Sequence, residues 1–340
     1  MTARPAGRAA PTLESVAARA GVSRATAGRV LAGSTTVGEQ AREAVLRAAA
    51  ELSYVTNRAA RSLMTRRSDS IAFVVAESEE RFFGDPHFAL VLRGAHAVLA
   101  AHDVQLVFSI LSTGADRDRF ERFARGGHLD GVILVSLHGD DPLPRRLQEA
   151  GVPVILSGRP FTETPGLSYV DADNVGGAQA AVRLLVERGR TRLATITGPL
   201  DMTAAIDRRA GFQHELAAQG LRSHGVRDGD WSIAGGRHAM LEMLASEPLI
   251  DGVFAANDLM AFGAMQAVTE TGRSVPGDVA VVGFDDSPTA SSSHPAITTV
   301  RQPIIGMGEA LATRLLALIE RGEPLEPMVM GTELVLRDTA

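Results

Sequence analysis

From residue 70 onward, short runs of wholly apolar residues keep returning at intervals filled by helical patterns. Ile71-Ala72-Phe73-Val74-Val75 precedes a helix expected over 86–102, the run 104–108 precedes one near 117–125, and the run 131–135 precedes one over 143–150, with 152–156 next. A second series follows: helix 175–188, strand 192–197, helices 208–219 and 235–245, strand 252–255, helix 258–271 and strand 279–284. Apolar runs of four to eight residues alternating with helices describe strands buried on both faces, which need helices on both sides of their sheet. The alternation therefore predicts an α/β fold of parallel sheets with right-handed crossovers. Residues 297–303 read as a further strand and crossing, 307–320 as a helix and 333–337 as a last strand, so the chain end returns to the first half. The pattern divides 68–340 into two lobes, about 68–160 with 290–322 and 161–289 with 323–340, the segment 158–166 making the first crossing. Ligands of open α/β sheets bind outside the carboxyl ends of the strands, so a two-lobed body places its site between the lobes.

Residues 1–67 are of another kind. Thr12 is placed to cap a helix whose Leu13, Val16, Ala17 and Ala20 share one face, Gly21 suits the left-handed stop, and Ser23 can cap the next helix. That helix, 24–31, turns Ala27, Val30 and Leu31 inward and leaves Arg24, Ala25, Thr26, Gly28 and Arg29 largely outside. A third helix over 39–52 offers Ala41, Val45, Ala48, Ala49 and Leu52 as cover. The order is that of a helix-turn-helix, an all-α head whose second helix has the small and basic surface a major groove admits. Charge divides at the same place. Residues 1–67 hold 11 arginines against 4 glutamates, a net +7, whereas the remainder holds 23 basic against 36 acidic residues, a net −13. A basic head supplies phosphate contacts while an acidic body is repelled from nucleic acid.

Several classes are disfavoured. The chain has no cysteine, so disulfides and thiolate chemistry are absent. Residues 1–11 do not resemble a signal peptide and no 18-residue apolar span occurs, which points to a cytoplasmic protein with no membrane partner. No dinucleotide fingerprint, P-loop or nucleophile elbow is present, and the nine histidines form no metal-binding pattern, so no metal, cofactor or catalytic residue is expected. Asp285-Asp286 superficially pairs carboxylates, but neighbours at a strand end point in opposite directions.

Polar residues stand just after expected second-lobe strands: Asp173, Arg208, Asn257, Asp258 and Asp285. A carboxylate accepts paired hydroxyl hydrogen bonds, an amide both donates and accepts, and a guanidinium donates a rigid fork, a combination suited to a polyol or sugar. Other roles compete: Asp258 reads as a helix N-cap, Asp286 as a turn residue, and Arg208 also as a surface partner of Asp207 or Asp173. Trp231, the only tryptophan, can stack on a ligand or fill the core. From the first lobe the charged and aromatic segment 77–87 follows the first strand, and can reach the cleft through Glu77, Phe82, Phe83 or Asp85, or form a solvated lid.

The run TLESVAARAGVS (12–23), the spacing Thr26-x-x-Arg29-Val30-Leu31 and the stretch AELSYVTNRAARSL (50–63) resemble the DNA-binding head of the lactose-repressor/galactose-repressor family of transcription regulators. GPLDMTAAIDRRAGF (198–212), FAANDLMAFGAM (254–265) and VAVVGFDD (279–286) resemble its periplasmic-binding-protein-like effector domain. The resemblance implies a homodimeric, effector-responsive repressor of double-stranded operator DNA. It implies DNA contacts from Thr12, Ser23, Arg24, Ala25, Thr26, Arg29, Asn57 and Arg58, and a hinge helix over 57–64. In that hinge Ala60 packs against the dimer mate and Leu63 wedges into the minor groove. It implies a small-molecule effector, a sugar, gripped by Arg208, Asn257 and Asp285, with Trp231 stacking, Asp173 a polar contact and Ile304 an apolar wall. Glu77 and Phe83 complete the expected site. Gly28 and Thr56 depart from the family pattern, which usually has serine and proline there. A stand-alone sugar-binding transport protein is the second reading, contradicted by the head, and a sugar-modifying enzyme the third. The chain stops soon after Arg337 without a heptad tail, which favours a dimer.

Overall fold

The computed structural model describes residues 11–31, 34, 36–54 and 67–340. The hinge expected over 57–64, with Asn57, Arg58, Ala60 and Leu63, lies outside them. The chain forms two compact units, Met1–Ser68 and Asp69–Ala340.

In the first unit, α1 (Leu13–Ala20) starts in a reciprocal capping box between Thr12 and Ser15 and stops at Gly21, whose φ of 66° a residue with a Cβ rarely adopts. Helix α2 (Arg24–Leu31) opens with Ser23 accepting the Thr26 N–H at 3.1 Å. Helix α3 (Glu39–Glu51) lies over both. Val16, Ala17, Ala27, Val30, Val45, Ala48 and Ala49 make a core of their own, small side chains letting short helices approach closely. Gly28 sits inside α2, and a Cβ there would meet only Leu13 Cδ2 at 3.7 Å, an ordinary contact. Gly28→Ala should therefore stabilise the head by about 1 kcal/mol through helix propensity alone. Its unfolding temperature should rise by roughly 4–8 °C, and an unchanged or lower value would show that the glycine has a role in packing.

The second unit contains β1 (Ser70–Val75), α4 (Glu79–Gly84), α5 (Pro86–Ala101), β2 (Gln105–Ile110), α6 (Gly114–Phe123), β3 (Gly131–Val135), α7 (Leu143–Glu149), β4 (Val154–Ser157) and β5 (Ser168–Ala172). It continues with α8 (Asn174–Glu187), β6 (Leu193–Thr197), α9 (Thr203–Ala218), β7 (Gly225–Asp228), α10 (Ile233–Ser246), β8 (Gly252–Ala255), α11 (Asp258–Glu270), β9 (Ala280–Asp285) and α12 (Pro288–Ser292). Last come β10 (Thr298–Arg301), α13 (Ile304–Arg321), β11 (Met328–Met330) and β12 (Glu333–Val335). Two six-stranded sheets result, ordered β11-β5-β4-β3-β1-β2 and β12-β10-β9-β8-β6-β7, and every pairing is parallel except β10 with β12. Strands β3 and β6 are buried at all five positions, as continuous apolar runs covered on both faces should be.

The lobe boundaries differ from those expected. The segment 158–166 does not leave the first sheet, because β5 pairs with β4 in it, and the first crossing comes at Asp173. β10 joins the second sheet although 290–322 was assigned to the first lobe, and β11 joins the first although 323–340 was assigned to the second. Strands β5 and β7 carry polar residues and β11 is only three residues long, so none registers as a buried run; only their sheet neighbours reveal them. The segment 79–84 is a helix, not a loop. In the first lobe α5 and α13 pack closely enough that a Cβ on Gly94 would lie 2.0 Å from the Ile305 carbonyl oxygen and one on Gly308 2.1 Å from that of Val91. This reciprocal glycine contact ties the C-terminal helix to the lobe that opens the body.

Candidate effector site and nucleic-acid interface

Where the strands of the two sheets end, a cavity of about 100 Å³ is lined from both lobes. Arg208, in the second turn of α9, is only 5% exposed. Its Nε donates to Asn174 Oδ1 at 2.8 Å, and its Nη1 to the Ala256 carbonyl at 2.6 Å and to Asp285 Oδ1 at 3.3 Å. Its guanidinium lies 3.7 Å from the centroid of Phe284, held as planar cations are by an aromatic face. Arg208 is thus not a surface partner of Asp207, which Arg159 claims instead with bonds of 2.7 Å at Nε and Nη2.

Asp285 also accepts from Gln302 Nε2 at 2.6 Å. Burial pushes its carboxyl up while the Arg208 charge opposes the shift. Its φ is 109° and that of Asp286 is 57°, sparsely populated values costing roughly 1–3 kcal/mol each, and such strain clusters at functional sites. The two carboxylates part as expected, Asp286 turning away to Arg301 at 2.6 Å and Arg337 at 2.5 Å. Asn257 caps α11 by accepting the Met260 N–H at 2.9 Å and donates to the Trp231 carbonyl at 3.0 Å. Trp231, with φ 67°, lays its ring where a Cβ on Gly198 would be 2.1 Å away, so the glycine is the floor under the indole. Its Nε1 points to Met202 Sδ at 3.1 Å. Trp231 is buried and on the cavity wall at once.

Asp258 is not the N-cap, since Asn257 is; it is the first helical residue, 1% exposed, beneath the site. It accepts from Thr299 Oγ1 at 2.5 Å and the Ser287 N–H at 2.7 Å. Burial, reinforced by the nearby Asp285 charge, pushes its carboxyl up to about 8. The Arg208 bond goes to Asp285, so of the two buried carboxyls Asp258 is the less compensated.

Four expected members stand elsewhere. Asp173 caps α8 through the Gly176 N–H at 2.8 Å and is exposed, because it follows a first-lobe strand and marks the crossing. Ile304 is buried in the first-lobe core, one turn before Met307, which does reach the cavity. Phe83 is 77% exposed. Glu77 accepts from Ser136 Oγ at 2.7 Å and His138 Nε2 at 3.1 Å, away from the cavity lining, and these partners outweigh its burial and hold its carboxyl below the usual range. The segment 77–87 contributes Arg81, Asp85 and His87 instead. Asp85 caps α5 through the His87 N–H at 2.9 Å and pairs with Arg81 at 2.9 Å, and burial holds the His87 imidazole below its ordinary range. Asp171 and Asn174 also line the cavity, joined by a 3.0 Å bond from Asn174 Nδ2. Both stand in the stretch that holds Asp173, two positions before it and one after.

Across the mouth, the lobes are fastened. Besides Arg159–Asp207, His138 bridges Glu77 of the first lobe and Asp201 of the second, at 3.1 and 2.9 Å, and the two carboxylates raise its imidazole to about 9. The Gly139 N–H donates to the Asp201 carbonyl at 2.7 Å, and Thr203 Oγ1 to that of Arg159 at 3.0 Å.

On the head, Arg24, Ala25 and Arg29 of α2 are exposed and Thr26 is half-buried. Arg24 pairs with Glu14 at 3.0 Å, both largely exposed, a pair that contributes little to stability. Thr12 and Ser23 serve as caps at the two helix N-termini, places where backbone N–H groups favour phosphate. Among the described residues no group of three or more metal-ligating side chains occurs, and no helix is long and apolar enough to cross a membrane.

Comparison with known proteins bears on both units. Residues 12–57 match the model of the bacterial regulatory proteins of the lacI family, and 164–340 that of the periplasmic binding protein-like domain. The chain is 45% identical over 337 residues to the HTH-type transcriptional regulator CelR of Thermobifida fusca, covering 98% of this chain and 99% of that protein. It is 32% identical over 332 residues to the ribose operon repressor of Halalkalibacterium halodurans, with 96% of each covered. Among solved structures, a CelR–cellobiose complex matches with a TM-score of 0.78 at 42% identity, covering 97% of this chain and all of that one. A lac repressor dimer bound to operator and the anti-inducer ONPF matches with a TM-score of 0.83 at 27% identity, covering 97% and 98%. A helix-turn-helix head joined to a two-sheet binding body, matched along nearly its whole length by such regulators, makes this chain a member of the LacI family of helix-turn-helix transcriptional regulators.

Proposed function

We propose that this regulator is a cytoplasmic homodimeric repressor whose operator affinity is set by a sugar bound between its lobes, and that it binds the sugar without altering it. The observation that carries the reading is the buried array of Arg208, Asp285 and Asn257 beside the indole of Trp231. Fork donor, carboxylate acceptor, amide and aromatic face are the groups a polyhydroxylated ring requires, and they meet where ligands of open α/β sheets bind. Asp171, Asn174, His87 and Gln302 join them, and Asp173, Ile304, Glu77 and Phe83 are left out. The relative solved with cellobiose makes that disaccharide the first candidate. A sugar panel led by cellobiose, screened by thermal shift and then by operator-binding titration, tests this: a specific ligand raises the unfolding temperature and changes operator affinity. Stabilisation without a change in DNA affinity would leave a binding protein but no effector.

On DNA, α2 presents Arg24 and Arg29 to major-groove edges, with Ala25 and Thr26 between them, Thr12 and Ser23 at the phosphates, and Leu63 of the hinge in the central minor groove. Arg24→Ala should relax base preference at one half-site position by about 1–3 kcal/mol, if its fork spans a guanine. Equal weakening on every sequence, with a shallower salt dependence, would make it a phosphate contact.

A further inference from the structure

The cleft continues past Arg208. A larger cavity of about 290 Å³ opens beside the first, between the segment after β3 and the 157–167 segment after β4. Ser136, Ser157, Gly158, Met202 and Ala204 line both, so the two chambers adjoin. The inner chamber alone is well below the ~300 Å³ at which ligand sites begin, and the two together fall within the usual range. The outer wall also carries Arg159 and Gly139, which hold the second lobe through Asp207 and Asp201.

Its chemistry differs from that of the inner chamber. Phe161 stands on the outer wall 44% exposed and belongs to no core cluster, an aromatic face with nothing assigned to cover it. Asp140 and Glu163, both exposed, and Thr162 line the same chamber, as does Arg145. An aromatic platform in a chamber that also carries hydrogen-bonding side chains suits a pyranose, whose C–H face is apolar and whose rim is hydroxylated. We propose that the outer chamber is a subsite for the second and following units of an oligosaccharide effector, with Phe161 as its stacking platform and the terminal unit in the Arg208 chamber. The proposal rests on the sugar reading above. It makes the regulator a reader of chain length, and a longer sugar would brace the Arg159–Asp207 connection that a single ring does not reach.

The full-length protein is titrated calorimetrically with glucose, cellobiose and cellotriose, and the fluorescence of the one tryptophan, in the inner chamber, is followed in parallel. Wild type should bind cellobiose at least about tenfold more tightly than glucose. Phe161→Ala should remove about tenfold of the cellobiose and cellotriose affinity, leaving glucose binding and thermal stability unchanged, while Phe161→Tyr keeps wild-type discrimination. An equal loss for all three sugars, or no loss, overturns the subsite even though sugar binding stands. If none of the sugars binds or alters the tryptophan emission, the sugar reading itself fails and the subsite falls with it.

Discussion

Replacing Arg208 with alanine should abolish the response of operator binding to effector and cost the body about 3–5 kcal/mol of stability, the usual consequence of leaving a buried charge uncompensated. The guanidinium is the cation bonded to Asp285, beside Asp258, and it also satisfies Asn174 and the Ala256 carbonyl. Removing it strands these acceptors in a low-dielectric pocket and uncovers Phe284. Arg208→Lys restores a charge without the planar fork, so it should recover part of the stability and little of the effector affinity. Urea unfolding reads the first quantity and operator titration with and without sugar the second. The head has a core of its own, so DNA binding by the variant without effector should persist. A variant with normal stability and a normal effector response would show that Arg208 is not the anchor of the site.

The contribution of Asp258 to the stability of the body should fall as pH rises from about 4 to about 8. Asp258 ionises near its ordinary value in the unfolded chain but only at about 8 in the folded one, so between these values the native state binds more protons than the unfolded state. By linkage its contribution is fully present below the unfolded pKa and is lost as pH rises through the folded one, on the order of a few kcal/mol. His138 adds to the trend, because its raised pKa of about 9 makes its contribution fade between its ordinary range and that value. Asp258→Asn mimics the protonated acid: its amide oxygen can accept from the Ser287 N–H and its NH₂ can donate to Thr299 Oγ1. The variant should therefore show a flatter stability profile from pH 4 to 8 and be at least as stable as wild type at pH 8. Chemical denaturation across that range checks it. An identical slope in the variant would mean that Asp258 is already ionised when folded.

How far each part of the molecule could be read from sequence follows from how local its cause is. The long elements were legible, because α5, α8 and α11 and the apolar strands β1, β3 and β9 carry their own periodicity. Strands β5, β7 and β11 were not, since a strand that is very short or interrupted by polar residues is specified by the neighbour it pairs with. Missing β5 and β11 moved two lobe boundaries, and the third moved because β10, legible as a strand, pairs in the second sheet. In the site, Arg208, Trp231, Asn257 and Asp285 were legible because each follows a recognisable strand or motif. Glu77, Asp173, Phe83 and Ile304 were misplaced because a residue one or two positions along faces another way, and no local signal separates a helix cap such as Asp173 from a ligand contact.

By itself the sequence determined the head, where capping residues, a left-handed glycine and small apolar faces suffice for three short helices, and it determined the α/β character of the body. Only the tertiary structure decided which side chains meet. The raised pKa of Asp258, the indole seated on Gly198, the bonds from His138 and Arg159 that join the lobes, and the outer chamber lined by Phe161 all depend on groups distant in sequence sharing a buried space. Desolvation and steric contact exist only once that space has closed.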